Sequence, residues 1–206
     1  TYYLARNIFA DHHLHVVGVP TDEAGLRTDA LKAMLNDESQ PRPVLLYTIP
    51  TFQNPTGSVL PTDRRQALVA LAQTYGFTVV ADEVYHLLHY GSLPPPPMVS
   101  FDTSGSGCVI SLGSFSKIFS PGLRLGWIQA HPRLIQRFAG AGMVVSGGGL
   151  NHFAAAIVHS AIVKGLLADN IVTLRKTYSE RLKVMESVLR ACLPDDARFA
   201  GANLAF

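Results

Sequence analysis

The chain has 206 residues, of which 48% are apolar and 16% charged, with a net charge of +2. That composition fits an ordinary soluble protein with one large packed domain. Its lack of a basic block or a long apolar run speaks against nucleic acid or membrane as a partner. Cys108 and Cys192 stand far apart without metal or redox spacing, and they fit a reducing, cytoplasmic setting.

In chain order, a helix is expected from Tyr3 to Phe9. Leu14-His15-Val16-Val17-Gly18-Val19 reads as a short strand ended by Pro20. Thr28 is placed to cap a helix carrying Leu31, Met34 and Leu35. The run 44–48 lacks alternation and suits a strand buried on both faces of a parallel sheet. After a loop through Pro50, Asn54, Pro55 and Gly57, a helix opens at Pro61-Thr62-Asp63 and reaches about Tyr75. Thr62 is its expected cap and Gly76 its stop. Residues 77–81 form the next strand, which delivers Asp82-Glu83-Val84-Tyr85 at its end. Pro94-Pro95-Pro96-Pro97 is a stiff extended segment.

A strand at 108–111 leads into Ser114-Phe115-Ser116-Lys117, and another strand covers 125–130. Pro132 begins a helix, Gly147-Gly148-Gly149 interrupts, and Asn151 caps a helix to about Leu166. A long helix starts at Asp169 or Asn170 and runs to about Leu193, with Leu174, Tyr178, Leu182, Met185, Leu189 and Cys192 on one stripe. Strands alternating with helices predict an α/β fold, a mostly parallel sheet flanked by helices in three α/β/α layers.

Three strand-end loops then present polar groups suited to one ligand, at the sheet edge where open α/β proteins bind their ligands. Lys117 is a lysine in a small, hydroxyl-rich, uncharged loop, and such an amine can form a Schiff base with a carbonyl compound. Arg124, on the same loop, is the side chain suited to a phosphate. Ser114 and Ser116 add hydroxyls beside it. Asp82 ends an apolar strand, where a carboxylate is costly unless paired. Facing a pyridine nitrogen, it would keep that nitrogen protonated. Asn54 and Tyr85 can both donate to a phenolate oxygen. Together these residues read as a site for pyridoxal 5'-phosphate, with Lys117 as its covalent partner and as the group that moves a substrate proton. Read singly, each is ordinary: Asn54-Pro55-Thr56-Gly57 a turn, Asp82 and Glu83 capping carboxylates, Arg124 a surface ion pair, Lys117 a solvated lysine.

The motifs Asn54-Pro55-Thr56-Gly57, Asp82-Glu83-Val84-Tyr85 and Ser114-Phe115-Ser116-Lys117 with Arg124 resemble those of class I/II aminotransferases, of the fold type I pyridoxal-phosphate superfamily. The wording from Tyr47 to Gly57 is most similar to the aminoadipate/kynurenine branch, with its aromatic and branched-chain relatives. The resemblance implies the large domain of that fold and a cofactor joined to Lys117. It implies Asp82 on the ring nitrogen, Asn54 and Tyr85 on the ring oxygen, and Ser114, Ser116 and Arg124 on the phosphate. Tyr2 would stack on the ring. It also implies a homodimer and, as substrates, an amino acid and a 2-oxo acid. A phosphate-binding turn before Thr1 and a carboxylate-binding arginine after Phe206 would lie outside the chain. The chain, opening without Met and closing in a strand-like run, is expected to be cut from a longer one.

The expected organisation is a cofactor-binding domain at 1–168, a connecting helix at 169–193, and the start of a small domain at 194–206. The expected function is transamination. The alternatives are the aminotransferase-like effector domain of a transcription regulator, and β-lyase or decarboxylase chemistry on the same scaffold. Set aside are His12-His13-x-His15 as a metal site, which lacks a carboxylate or cysteine partner, and the glycine-rich run before Lys117, which lacks the Gly-Lys-Ser/Thr ending of a P-loop. The three glycines at 147–149 read as a joint, with gating near a substrate as the functional alternative.

Overall fold

The structure, a computed structural model, describes residues 2–147 and 150–194. Two of the three glycines in the expected joint, and nearly all of the expected small-domain segment, lie outside the described residues.

The first helix, α1, covers Tyr3–Asp11. The strand expected at 14–19 is not formed. That stretch carries no regular secondary structure and no ladder partner among the described residues, and Leu14, Val16 and Val17 stay exposed. Its β-branched residues favour a pleated surface only where a neighbouring strand supplies one. A two-residue antiparallel pair, β1 (Thr21–Asp22) and β2 (Gly25–Leu26), follows instead. Helices α2 (Thr28–Asn36) and α3 (Thr62–Tyr75) stand where expected, but Thr28 and Thr62 are not their caps. Each is the first helical residue, and the extended cap position falls to Arg27 or Pro61 without a side-chain bond. Asp29 and Asp63 in the first turns complement the positive helix ends. Gly76 ends α3 in the left-handed region at φ 76°, and its N–H donates to the Ala72 carbonyl at 2.9 Å.

Among the described residues, four strands build the main sheet: β3 (Leu45–Thr48), β4 (Thr78–Asp82), β5 (Val109–Ser114) and β6 (Gly126–Ala130). They lie in that order, the first three parallel and β6 antiparallel to β5. The register divides the sheet into two faces. Leu46, Val79, Ala81 and Val109 share one face and form the main core with Leu31 and Leu35 of α2 and Leu68, Val69 and Ala72 of α3. Tyr47, Val80, Asp82 and Leu112 alternate onto the other face, which is only half-buried. There Phe9 of α1 packs edge-on against Tyr47. Helices thus flank a mostly parallel sheet, the three-layer arrangement expected.

Beyond the sheet run α4 (Pro132–Ala139), α5 (Gly142–Ser146), α6 (His152–Val163) and α7 (Leu166–Cys192). Asn151 caps α6 as expected, accepting the Ala154 N–H at 3.2 Å. The long helix α7 begins earlier than expected, after Gly165 at φ 75°. Its stripe is core only at the start. Leu174 and Tyr178 pack around Leu88 and Ile118, whereas Met185 and Cys192 are exposed. No single described helix is long and apolar enough to cross a membrane.

The β5–β6 pair depends on two glycines on adjacent rungs, Gly113 opposite Trp127 and Gly126 opposite Ser114. A Cβ on Gly113 would meet the Trp127 indole at 2.0 Å, and one on Gly126 would meet the Gly113 carbonyl oxygen at 2.6 Å. The second contact is with backbone, which cannot swing aside. Gly126→Ala is therefore expected to lower folding stability by about 1–3 kcal/mol, read by thermal or urea unfolding. A wild-type midpoint would show that the strands can separate freely.

Candidate active site

The loops after β3, β4 and β5 meet at the C-terminal edge of the parallel strands, where the chain's polar groups converge. A cavity of about 190 Å³ opens there. Its lining contains every site residue named from the sequence: Tyr2, Asn54, Asp82, Tyr85, Ser114, Ser116, Lys117 and Arg124. Ile49 and Val84 add its apolar wall.

Asp82 closes β4 on the half-buried face. Burial pushes its carboxyl above the usual carboxylate range, while the Tyr47 hydroxyl and the Val84 N–H oppose that shift. The Tyr47 O–H donates to Asp82 Oδ2 at 2.5 Å. No ion pair to Asp82 exists among the described residues. Tyr85 follows on the turn after β4. Burial and the Asp82 charge hold its phenol above the ordinary value, and the Asn54 side chain, bonded to it, works the other way.

Asn54 sits in a loop that fixes itself. Gln53 Oε1 accepts the Thr56 N–H at 2.9 Å and the Thr56 hydroxyl at 2.6 Å, and the Gln53 N–H donates to the Ser58 carbonyl at 2.9 Å. Phe52, buried at φ 52°, makes the turn that precedes it. Such a left-handed non-glycine residue costs about 1–2 kcal/mol, which the packed loop sustains.

Ser114 is the last residue of β5, three residues beyond the strand end predicted from the sequence, and its Oγ accepts the Ser116 N–H at 3.1 Å. Lys117 is exposed on the cavity side, its Nζ 5.9 Å from the centre of the Tyr85 ring. The next residue, Ile118, is 1% exposed and anchors the loop among Leu88, Leu167, Ile171, Leu174 and Tyr178. The Asn170 side chain of α7 donates to the Ile118 carbonyl at 2.8 Å, and Asn151 donates to the Leu123 carbonyl at 3.1 Å. The lysine loop is thus gripped from behind by two helices while Lys117 faces the opening. A 3₁₀ turn at Pro121–Leu123 delivers Arg124 at φ 49°, and its guanidinium reaches the Ser116 Oγ at 3.5 Å and the Pro121 carbonyl at 3.3 Å. Tyr2, just before α1, joins the cavity through its side chain.

Sequence reasoning missed three groups that position these residues. Tyr47 stands on β3 level with Val80, on the face of Asp82. Its placement follows from the register between β3 and β4, which no local feature of the sequence announces. Asn170 was read only as a helix start, and nothing local marks its reach to Ile118. Glu83, weighed as a possible cap, is buried on the core side 3.6 Å from Arg65, which is fully buried. Arg65 also donates to the carbonyls of Leu60, Pro50 and Pro96 at 2.7, 2.8 and 3.0 Å, and to the Thr51 hydroxyl at 2.9 Å. The Glu83 carboxylate accepts the Met98 N–H at 3.1 and 3.2 Å. This pair ties the Asn54 loop and the proline run to the strand end that carries Asp82.

Chemically the cavity offers an amine, a half-buried carboxylate with no ion pair among the described residues, two phenols, a carboxamide, two hydroxyls and a guanidinium. A family profile described as aminotransferase class I and II matches residues 1–205. The chain is 35% identical over 201 residues to aromatic-amino-acid aminotransferase 1 of Thermococcus litoralis, covering 97% of this chain and 48% of that protein. It superposes with a TM-score of 0.89 and 34% identity on a multiple substrate aminotransferase from Thermococcus profundus, covering 98% of this chain and 50% of that one. The α-aminoadipate aminotransferase LysN of Thermus thermophilus, complexed with N-(5'-phosphopyridoxyl)-L-leucine, gives 0.85 at 31% identity, over 98% of this chain and 51% of that one. The chain spans about half the length of the curated relatives it matches.

Proposed function

Since this chain belongs to the class I and II aminotransferases, we propose that it carries the cofactor site of an enzyme that moves an amino group between an amino acid and a 2-oxo acid, using pyridoxal 5'-phosphate. The observation that carries this reading is Asp82: a half-buried carboxylate, with no ion pair among the described residues, lines the same cavity as an exposed lysine and an arginine–serine cluster. The donor set fits the group. A protonated pyridine nitrogen suits Asp82, a phosphate suits Ser114, Ser116 and Arg124, and a phenolate oxygen suits the donors Asn54 and Tyr85. Tyr2 supplies an aromatic face for the ring.

When bound, pyridoxal phosphate supplies an electron sink for the pair released at the substrate's Cα. The chain's own residues do the rest. Asp82 would keep the proton on the ring nitrogen, and Asn54 and Tyr85 would hold the ring oxygen. Arg124 and the two serines fix the phosphate. Lys117 Nζ would take the proton from the substrate's Cα as base and return it as acid. The aromatic and aminoadipate names of the relatives support a substrate of aromatic or aminoadipate type, and the leucine adduct in the LysN structure supports the branched-chain alternative. A second copy of the chain as partner belongs to the same reading, as the family resemblance implies.

The test is chemical trapping. Borohydride added to the cofactor-loaded, full-length protein, followed by digestion and mass spectrometry, is expected to leave a phosphopyridoxyl group on the peptide containing Lys117. Label on another lysine, or none, would overturn the reading. The same protein is expected to exchange amino groups between a panel of amino acids and 2-oxoglutarate.

A further inference from the structure

We propose that Tyr47 is the positioning residue for Asp82, its hydroxyl holding the carboxylate in the orientation and charge state that the ring nitrogen requires. The inference rests on the aminotransferase reading, since it concerns what Asp82 does there. Register is the first support. Tyr47 pairs with Val80 across β3 and β4, so its side chain rises on the same face as Asp82, two residues short of it along the strand. A long aromatic side chain spans that diagonal, and the hydroxyl arrives at Oδ2 at 2.5 Å.

The ring that delivers this hydroxyl is itself held. Phe9 meets it edge-on at 5.7 Å and 72°. Phe9 belongs to the helix whose start carries Tyr2, so α1 touches the cavity through Tyr2 and its carboxylate through Phe9 and Tyr47. Burial, then the bond to Asp82, push the Tyr47 phenol well above its ordinary value. Tyr47 therefore keeps its proton and remains a donor. Burial also pushes the Asp82 carboxyl up, toward the neutral form that cannot serve a cationic nitrogen, and the Tyr47 bond opposes this. One hydrogen bond thus does two jobs, fixing the plane of the carboxylate and keeping its charge.

The experiment is a double-mutant cycle on the full-length protein, with Tyr47→Phe, Asp82→Asn and the pair. Two readouts are taken: pyridoxal-phosphate affinity by absorbance titration, and the ¹⁵N shift of ring-labelled cofactor. Tyr47→Phe is expected to weaken cofactor binding roughly tenfold, the value of a hydrogen bond to a charged group. It is also expected to move the ring-nitrogen shift toward the unprotonated value. In the Asp82→Asn background both effects should vanish, because the charge that the hydroxyl serves is gone. Equal losses in both backgrounds, or an unmoved shift, would overturn the assignment and leave Tyr47 a packing residue. A wild-type protein that takes up no cofactor would sink the aminotransferase reading and this assignment with it.

Discussion

Lys117→Ala is expected to lower the rate of amino-group exchange by at least about 10³-fold, because it removes both the covalent anchor and the base at Cα. The loss should appear in kcat, with the visible absorbance of the bound cofactor changed in parallel. Folding should not suffer. Lys117 is exposed, and the loop around it is anchored by Ile118 and the Asn170 side chain rather than by the lysine. Its unfolding midpoint is expected to stay within about 0.5 kcal/mol of wild type. A variant that keeps a tenth of the wild-type rate would remove Lys117 from the chemistry.

The second large effect is on stability. Arg65→Met is expected to cost about 3–5 kcal/mol, because it leaves the buried Glu83 carboxylate without its cation and strips buried carbonyls of their donor. In a chain of this length that corresponds to a fall in Tm of roughly 10 °C. Burial already holds the Glu83 carboxyl above its ordinary value of 4.5, and Arg65 is among the groups that oppose that shift. Without Arg65 the folded value rises further. A carboxyl whose folded value is raised destabilises the folded state as pH climbs from the unfolded value through the folded one. The gap between variant and wild type should therefore be widest at neutral pH and narrow below about pH 4.5. Adding Glu83→Gln to the variant should recover part of the loss. Equal Tm values at neutral pH would show that the pair does not hold the loops together.

The sequence showed these elements unevenly, for physical reasons. Gly76 and Asn151 announced their helix ends because each acts through its own backbone angle or its own short side chain. Thr28 and Thr62 misled because a hydroxyl near a helix start is a weak rule when the preceding residue can take the extended cap angle. Residues 14–19 have the composition of a strand, but a strand exists only through its neighbour. The cavity residues from Asn54 to Arg124 were legible because each sits on or beside a strand-end loop, whereas Tyr2, before α1, came only from the family resemblance. Tyr47, Arg65 and Asn170 were not, since each acts on a residue far away in sequence, through register or tertiary approach. Glu83 shows the same limit from the other side, because next to Asp82 it reads only as another capping carboxylate. Alternation along β4 turns it to the core face, where it serves the scaffold.

The antiparallel partnership of β5 and β6 has a further consequence. Ser114 pairs with Gly126, so residues 115–125 form a closed loop whose two ends are stitched together by the ladder. The entropy of bringing Lys117 near Arg124 is therefore met when this local pairing forms, before any distant part of the chain needs to arrive. Amine and guanidinium are members of one short-range folding unit. Neither can drift from the other without unzipping the ladder that begins at Ser114, so the spacing between them should be among the last features of the site to be lost as the protein unfolds.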